Sequence, residues 1–432
     1  MSATVKEKIK QQNKFDNITK MAMVLLPIFM LVVFIEPKTS IFCGPVLAVL
    51  LTYLFLFGKE ELATAVIIIA NDALGTVILG VFSFQYLLIL LICIKLPFNK
   101  LSRKRFIYLV VCLAFLIQLL LAQTINFRGL IVTLSYVLGI SYINFEDEDR
   151  AKKFFQAVAF SVIVIAIHAM VTGGVDYSET EPGSIEEVRK GLLGVGNSNA
   201  NFSSFLLNIG IICLWNFFDF KKIFKVILTM PMIYSIVITR STMGLIGLLL
   251  IVVMSILLGK NKLKSFTILI ATIIGLVVLY SIYQSLPEHL HVLEIDLYIE
   301  RMQEKIEQLL VGDYRSATTG RSDIVSKYLK YILVDQSAFR MLFGGNPQIV
   351  ESVSLYVPHN TYITIILQFG LVGVVIFTLC AIKRFATTIK VKEALYRKAY
   401  IVLKSLCLVV AFSTSLFGNN LWVLWMMSLF IL

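Results

Sequence analysis

The residues best suited to holding an anion and moving a proton lie in four separate stretches. Arg240 stands in Ile238-Thr239-Arg240-Ser241-Thr242, between two apolar runs with almost no loop. A guanidinium at such a depth is costly unless it is paired or faces water. It either binds an anionic group of a lipid substrate, a phosphate above all, by bidentate hydrogen bonds, or snorkels to ordinary headgroups and marks a helix end. His359-Asn360 opens a late apolar run. A helix N-terminus there carries partial positive charge, which favours a bound anion and keeps a nearby histidine neutral. His359 then reads as a general base; the alternative is an interfacial histidine beside a capping Asn360. The stretch Glu187–Phe202 reads EVRKGLLGVGNSNANF, with Arg189 and Lys190 ahead of Gly191, Gly194 and Gly196 and then Asn197, Asn199 and Asn201. Glycine permits close backbone approach, and asparagine both donates and accepts. The alternative is a turn before a helix capped by Asn201 or Ser203. Arg321 follows Gly320 and opens a helical stretch, with Arg315 and Arg340 nearby. His168 reads as a buried packing residue, and His289 and His291 have no evident partner.

The elements that must position these residues are membrane helices. The chain has 432 residues, 58% hydrophobic and 15% charged, with mean hydropathy +0.85. A soluble domain carries about 25% charged residues. Apolar runs of about 20 residues cross hydrocarbon as helices, which satisfy their own backbone hydrogen bonds. The alternating ten-residue strands of a closed barrel are not visible. The net charge of +12 reads as lysine and arginine collected in cytoplasmic loops, not as a nucleic-acid surface, since no soluble basic domain is present. The six cysteines sit in or beside apolar runs and read as packing residues, with no disulfide framework or metal site. The basic start, with Lys6, Lys8, Lys10 and Lys14, leads into a first span that serves as its own insertion signal.

The apolar runs predict an all-α polytopic integral membrane protein of about 12–14 transmembrane helices, residues 1–432 forming one transmembrane domain. The run Leu62–Leu74 is the weakest; it is short, contains Asn71 and Asp72, and is either a span or re-entrant. With the N-terminus inside, the basic clusters at 95–105, 150–153, 221–225, 260–264 and 383–398 all fall on the cytoplasmic side. The same parity sends three segments outside: a first loop, 172–201, the turn at Arg240, and one large extracytoplasmic loop, 287–360. Two parts of the large loop show helical spacing: Leu293–Leu310, and Ser322–Leu333 with Ile324, Tyr328 and Ile332 in step. They are expected to lie on the membrane surface, the first as scaffold or lid. Lys404 is expected to snorkel near a cytoplasmic helix end.

Arg189, Arg240, Arg321 and His359 therefore share one face by an argument that did not use them. No phosphate loop, dinucleotide fingerprint, zinc-protease motif or acidic metal cluster is present in the sequence. Outside the cytoplasm there is no ATP or nucleotide sugar. An enzyme on this face needs a donor already there, such as a lipid-linked glycosyl pyrophosphate.

Taken in order, these stretches resemble the bacterial O-antigen polymerase and O-antigen ligase superfamily, which includes capsule and exopolysaccharide polymerases. Arg189 through Gly196-Asn197-Ser198-Asn199 is similar to the family's Arg…Gly-Asn-Pro-Asn loop, with Ser198 in place of proline. Thr239-Arg240-Ser241 resembles its Ser-Arg span end. Gly320-Arg321 through Phe343-Gly344-Gly345 resembles its Arg…Phe-Gly-x-Gly pattern, and His359-Asn360-x-Tyr362 with Gly370-Leu371-Val372-Gly373 its His-Asn span start. The resemblance covers roughly residues 150–380. It implies a GT-C-like, inverting, metal-independent glycosyltransferase without cofactor in the bacterial plasma membrane. The enzyme would take glycan from undecaprenyl-pyrophosphate-linked oligosaccharides. Arg240 and Arg321, helped by Arg189, would hold the pyrophosphate. His359 would take the acceptor's proton, with Asn199 and Asn360 in support. Membrane lipids, a flippase and a chain-length regulator are the partners such a polymerase implies. The alternatives are a ligase that moves finished glycan to another acceptor and a non-enzymatic flippase of lipid-linked oligosaccharide.

Overall fold

The structure is a computed structural model. It describes residues 3–35, 40–70, 83–95, 101–121, 127–179, 187–192, 199–259, 280–287, 291–318, 320–347, 350–354, 356, 358–391, 394–413 and 422–430, with scattered positions from 267 to 278. Asn71, Asp72, His289, the cluster at 260–264 and the Gly194–Ser198 part of the asparagine-rich stretch lie outside the described residues, as does the side chain of Arg189.

Where the structure describes them, the apolar runs are helices; most of the run Phe266–Leu286 lies outside the described residues. The first part of the chain gives α1 (Ala3–Ile35), α2 (Ser40–Leu56), α3 (Glu60–Ile69), α4 (Phe84–Lys95), α5 (Arg103–Leu121), α6 (Phe127–Tyr142) and α7 (Glu148–Thr172). Then follow α8 (Ala200–Phe217), α9 (Lys222–Ile238) and α10 (Thr242–Leu257). Past the polar segment come α15 (Thr361–Ile389), α16 (Ala394–Ser413) and α17 (Trp422–Phe430). Among the described residues, α7, α8 and α15 are long and apolar enough to cross a membrane, and several shorter apolar helices accompany them. They bury one continuous aliphatic and aromatic core, in which Phe155, Phe217 and Tyr396 stack in a row. All six cysteines are free thiols.

Among the described residues, the regular structure is helical with one exception to the all-α expectation. The segment 172–201 carries an antiparallel hairpin, β1 (Val175–Glu179) with β2 (Glu187–Gly191), which places Tyr177 opposite Arg189. The Leu192 amide donates to the Ser203 hydroxyl at 2.9 Å, tying the hairpin to the first turn of α8. A short alternating stretch, Val-Asp-Tyr-Ser-Glu, was the available signal.

Side-chain contacts sort the helix ends into two groups. At one end, Glu60 and Glu61 at the start of α3 meet Arg150 in α7, and Lys95 at the end of α4 reaches Glu60 at 2.8 Å. Arg105 donates to the Tyr142 carbonyl at 3.0 Å, and Lys152 pairs with Asp219 at 2.7 Å. The basic clusters around 95, 105, 150 and 221–225 thus gather at one end. The chain also leaves and regains that end between Glu60 and Lys95. At 10 residues, α3 is about 15 Å long, half the thickness of hydrocarbon.

Lys404 does not snorkel. It is buried and donates to the Arg384 carbonyl at 3.0 Å and to the Thr388 hydroxyl, closing the last turns of α15.

The polar segment contains α11 (Leu293–Leu310), α12 (Tyr314–Ala317), α13 (Arg321–Lys330), a π-helical turn (Tyr331–Asp335) and α14 (Ala338–Phe343). The first of these has the bounds its periodicity predicts. The segment does not stay at one level. Its Gly345 and Asn346 amides donate to the Gln368 and Leu367 carbonyls of α15, at 3.0 and 2.9 Å. Those carbonyls are free because α15 breaks at Gly370, where φ is 64° and ψ is −169°. Gly370 lies about 13 Å along α15 from its start. A Cβ on Gly370 would stand 2.2 Å from the Leu342 carbonyl oxygen, and one on Gly344 2.3 Å from the Gln368 backbone. Only glycine fits either side of this join. Arg340, close to the turn in sequence, donates to Asn346 at 3.2 Å and braces it.

Candidate functional site

The end opposite the ionic cluster holds a cavity of about 330 Å³ between the helix bundle and the polar segment. Asn201 from α8, Thr242 and Met243 from α10, and Phe412 from α16 form its bundle side. Arg301 and Lys305 from α11, and Arg321, Ser322 and Val325 from α13, form its other wall, with His359 and Asn360 at the start of α15. Its described lining therefore contains three permanent cations and a histidine, with Met243, Val325 and Phe412 as an apolar flank.

Arg321 begins α13 directly after Gly320, whose φ of 79° makes a left-handed N-cap. Asn360 caps α15. Its Oδ1 accepts from the Tyr362 and Ile363 amides at 2.9 and 3.2 Å, and its Nδ2 donates to the Phe412 carbonyl at 3.0 Å. That cap fixes the backbone immediately after His359. Asn199 likewise caps α8 through the Asn201 and Phe202 amides. The cap is thus Asn199, not Asn201 or Ser203. The freed Asn201 accepts from the Ser241 hydroxyl at 2.8 Å and lines the cavity.

Arg240 is not itself in the lining; Thr242 and Met243, two and three residues further on, are. Its turn is locked to α8. Ser241 caps α10, the Ser204 and Ser241 hydroxyls are 3.0 Å apart, and Asn208 donates to the Gly244 carbonyl at 3.1 Å. The backbone at Arg240 has φ 49° and that at His359 φ 47°; among the described residues these are the only non-glycine residues with positive φ. A left-handed non-glycine backbone costs of order 1 kcal/mol or more and persists where its surroundings over-determine it. Two of the residues singled out for chemistry, Arg240 and His359, are held in this way.

Of the sequence candidates, Arg321, His359 and Asn360 meet in the cavity, Arg240 and Asn199 stand two residues before lining residues Thr242 and Asn201, and Arg189 has its backbone in β2. His168 is buried within α7. His291 has partners after all: Asp296 at 3.2 Å, the Leu286 carbonyl at 3.1 Å and the Tyr283 ring. Arg301 and Lys305 belong to the cavity although their helix reads as scaffold. Their signal was the spacing Tyr298, Arg301, Lys305, which sets all three on one side of a helix. Tyr298 is not in the lining; burial pushes its hydroxyl up to about 12, against the opposing pull of the Arg301 guanidinium.

No protein-family model, no curated protein and no solved structure matches the chain.

Proposed function

We propose that the chain is a polysaccharide polymerase of the bacterial plasma membrane, joining undecaprenyl-pyrophosphate-linked oligosaccharide repeats at the outer face. One observation supports this reading most: Arg321 and His359, chosen from different stretches of sequence, line one cavity that also has an apolar flank. A lipid diphosphate requires such a pairing of cations and apolar surface, and glycosyl transfer requires a base within reach of it.

In the proposed reaction, an acceptor sugar hydroxyl attacks the anomeric carbon of the donor. The new C–O bond forms as the bond to the diphosphate oxygen breaks, and the electron pair leaves on that oxygen. Arg321, with Arg240 and Arg189, offsets the charge developing there. His359 takes the hydroxyl proton at an imidazole nitrogen. Asn360 and Asn199 act as helix caps that hold the neighbouring backbone. The large polar segment and the hairpin lie outside, the ionic end lies inside, and about 12–14 helices span the membrane in this reading.

The test is reconstitution of the purified full chain with lipid-linked repeats. Polymer growth that is lost in His359→Ala supports the reading. Wild-type elongation by His359→Ala overturns the assignment of the base. Absence of any product from wild type, with the donor consumed when a different acceptor is supplied, identifies a ligase instead.

A further inference from the structure

Past α13 the polar segment turns apolar side chains outward. Leu333 and Val334 in the π-helical turn are 73% and 70% exposed, Phe339 in α14 is 70%, and Leu342 and Phe343 are exposed as well. The Phe339 and Phe343 rings lie 5.1 Å apart. Single apolar residues on a surface need no explanation, but a cluster does. The side chains among them that turn inward are already used: Ile332 and Met341 pack with Ile324, Tyr328, Ile363 and Leu367. The outward set is what remains after the fold's own packing is complete.

Depth decides what meets this face. α15 has no charged residue from Thr361 to Ile382, and Lys383 and Arg384 end that stretch. As a helix the stretch is about 33 Å long, the thickness of the hydrocarbon. Its own Val375, Ile376 and Leu379 are exposed, as lipid-facing side chains are. The Gly345 and Asn346 amides join α15 at the Gln368 and Leu367 carbonyls. Gln368 is about 10 Å along α15 from Thr361, well inside the uncharged stretch. Phe343 immediately precedes the join, so α14 arrives at this depth and not at the surface. Non-helical backbone is tolerated there only when it is shielded and its polar groups are met. Both hold: Gly344 and Asn346 are buried, and the two amides have their carbonyl partners. The one charge from 336 to 350, Arg340, sits a turn before Gly344, on the way in, with its guanidinium donating to Asn346 at 3.2 Å.

We propose that residues 333–343 form a re-entrant, lipid-facing element: the polar segment dips into the hydrocarbon beside α15 from the cavity end, and acyl chains of the bilayer cover Leu333, Val334, Phe339, Leu342 and Phe343. The lipid-facing surface of α15 thereby continues onto α14. The element also leads back through the π-helical turn to α13, whose Ile324 and Tyr328 share a cluster with Leu367 of α15. It fixes the height of the wall that carries Arg321 relative to the bilayer. Nothing in this requires the polymerase reading; it requires that α15 cross the membrane.

The experiment reads tryptophan fluorescence of the purified full chain in lipid nanodiscs. Bromine on the acyl chains quenches from the hydrocarbon side, and iodide quenches from water. Phe339→Trp, Phe343→Trp and Leu333→Trp each add emission to that of native Trp215, Trp422 and Trp425, and subtracting wild type isolates the added part. Brominated lipid is expected to lower the added emission of Phe339→Trp and Phe343→Trp by about twofold, with iodide leaving it unchanged. Glu148→Trp, at the exposed start of α7 on the ionic end, should show the reverse. Added emission quenched by iodide and untouched by brominated lipid at both phenylalanine positions overturns the proposal and returns the face to water. Protection from both quenchers overturns the lipid occupant in favour of protein, and a dimer mass by light scattering then identifies a second copy. If Phe343→Trp does not fold, Phe339→Trp and Leu333→Trp give the same readout from the rest of the face.

Discussion

The two ends of the helix bundle treat charge in opposite ways. At one end, charges of both signs are matched: Arg150 with Glu60 and Glu61, Lys95 with Glu60, Lys152 with Asp219. At the other, Arg301, Lys305, Arg321 and His359 surround a cavity whose described lining has no carboxylate. Matched charges hold parts of the same molecule in register. Charges that line a cavity stand where a group from outside can reach them. The contrast separates residues that matter for holding the fold from those that matter for what the fold handles, and substitutions at the two ends should therefore fail differently.

The largest effect is expected at His359. Replacing it with alanine should lower kcat for glycan elongation by about 10²–10⁴-fold, the usual worth of a positioned base, with the thermal midpoint close to wild type. A loss of folding instead of rate would place His359 with the structural end and break the contrast. Arg321→Ala is expected to cost about 10²–10³-fold in kcat/KM, and Arg321→Lys less, if the guanidinium answers charge on the leaving diphosphate. Initial rates across donor concentrations check this; an unchanged kcat/KM removes Arg321 from the site.

At the matched end the signs reverse. Arg150→Ala leaves Glu60 and Glu61 partly buried without their shared cation, a change of roughly 3 kcal/mol in stability. A lower thermal midpoint in detergent, with wild-type elongation per folded molecule, is the expected outcome. Reduced elongation at unchanged stability would mean that the two ends are coupled. The smallest effect belongs to Lys152→Ala. Its partner Asp219 is solvent-exposed, and neighbouring Lys152 holds the Asp219 carboxyl below its ordinary value mainly by their hydrogen bond. Exposed pairs contribute little, so a midpoint indistinguishable from wild type is expected by calorimetry. A clear drop would show that this contact is shielded in the membrane.

What was legible in the sequence was local. The bounds of α11 followed from its periodicity, and the tight turn at Arg240 from the two apolar runs that meet there with almost no loop. Basic clusters announced a shared end before any contact was visible. The partners of those clusters were not legible, because Arg150 and Glu61 are 89 residues apart. Periodicity also shows that a helix has sectors without showing which one turns inward, so Arg301 and Lys305 passed as scaffold. The Asn199 cap was missed because three asparagines in a row of five residues offer the same chemistry, and only the backbone angle at the helix start selects among them. Gly370 gave no sign that it would interrupt α15, since its reason lies in the Leu342 and Phe343 backbone, far away along the chain.

That interruption also orders events in time. The bonds from Gly345 and Asn346 to Gln368 and Leu367 close a ring of chain, and His359 and Asn360 lie within it. During synthesis the Gly344–Asn346 turn emerges before α15. Once α15 enters hydrocarbon, its two broken-off carbonyls are unmet until the turn docks, at several kcal/mol for each group. Insertion of this helix and closure of the ring are therefore expected to be one step. On the proposed reading, His359 and its neighbouring cations come together only in a chain already committed to the bilayer.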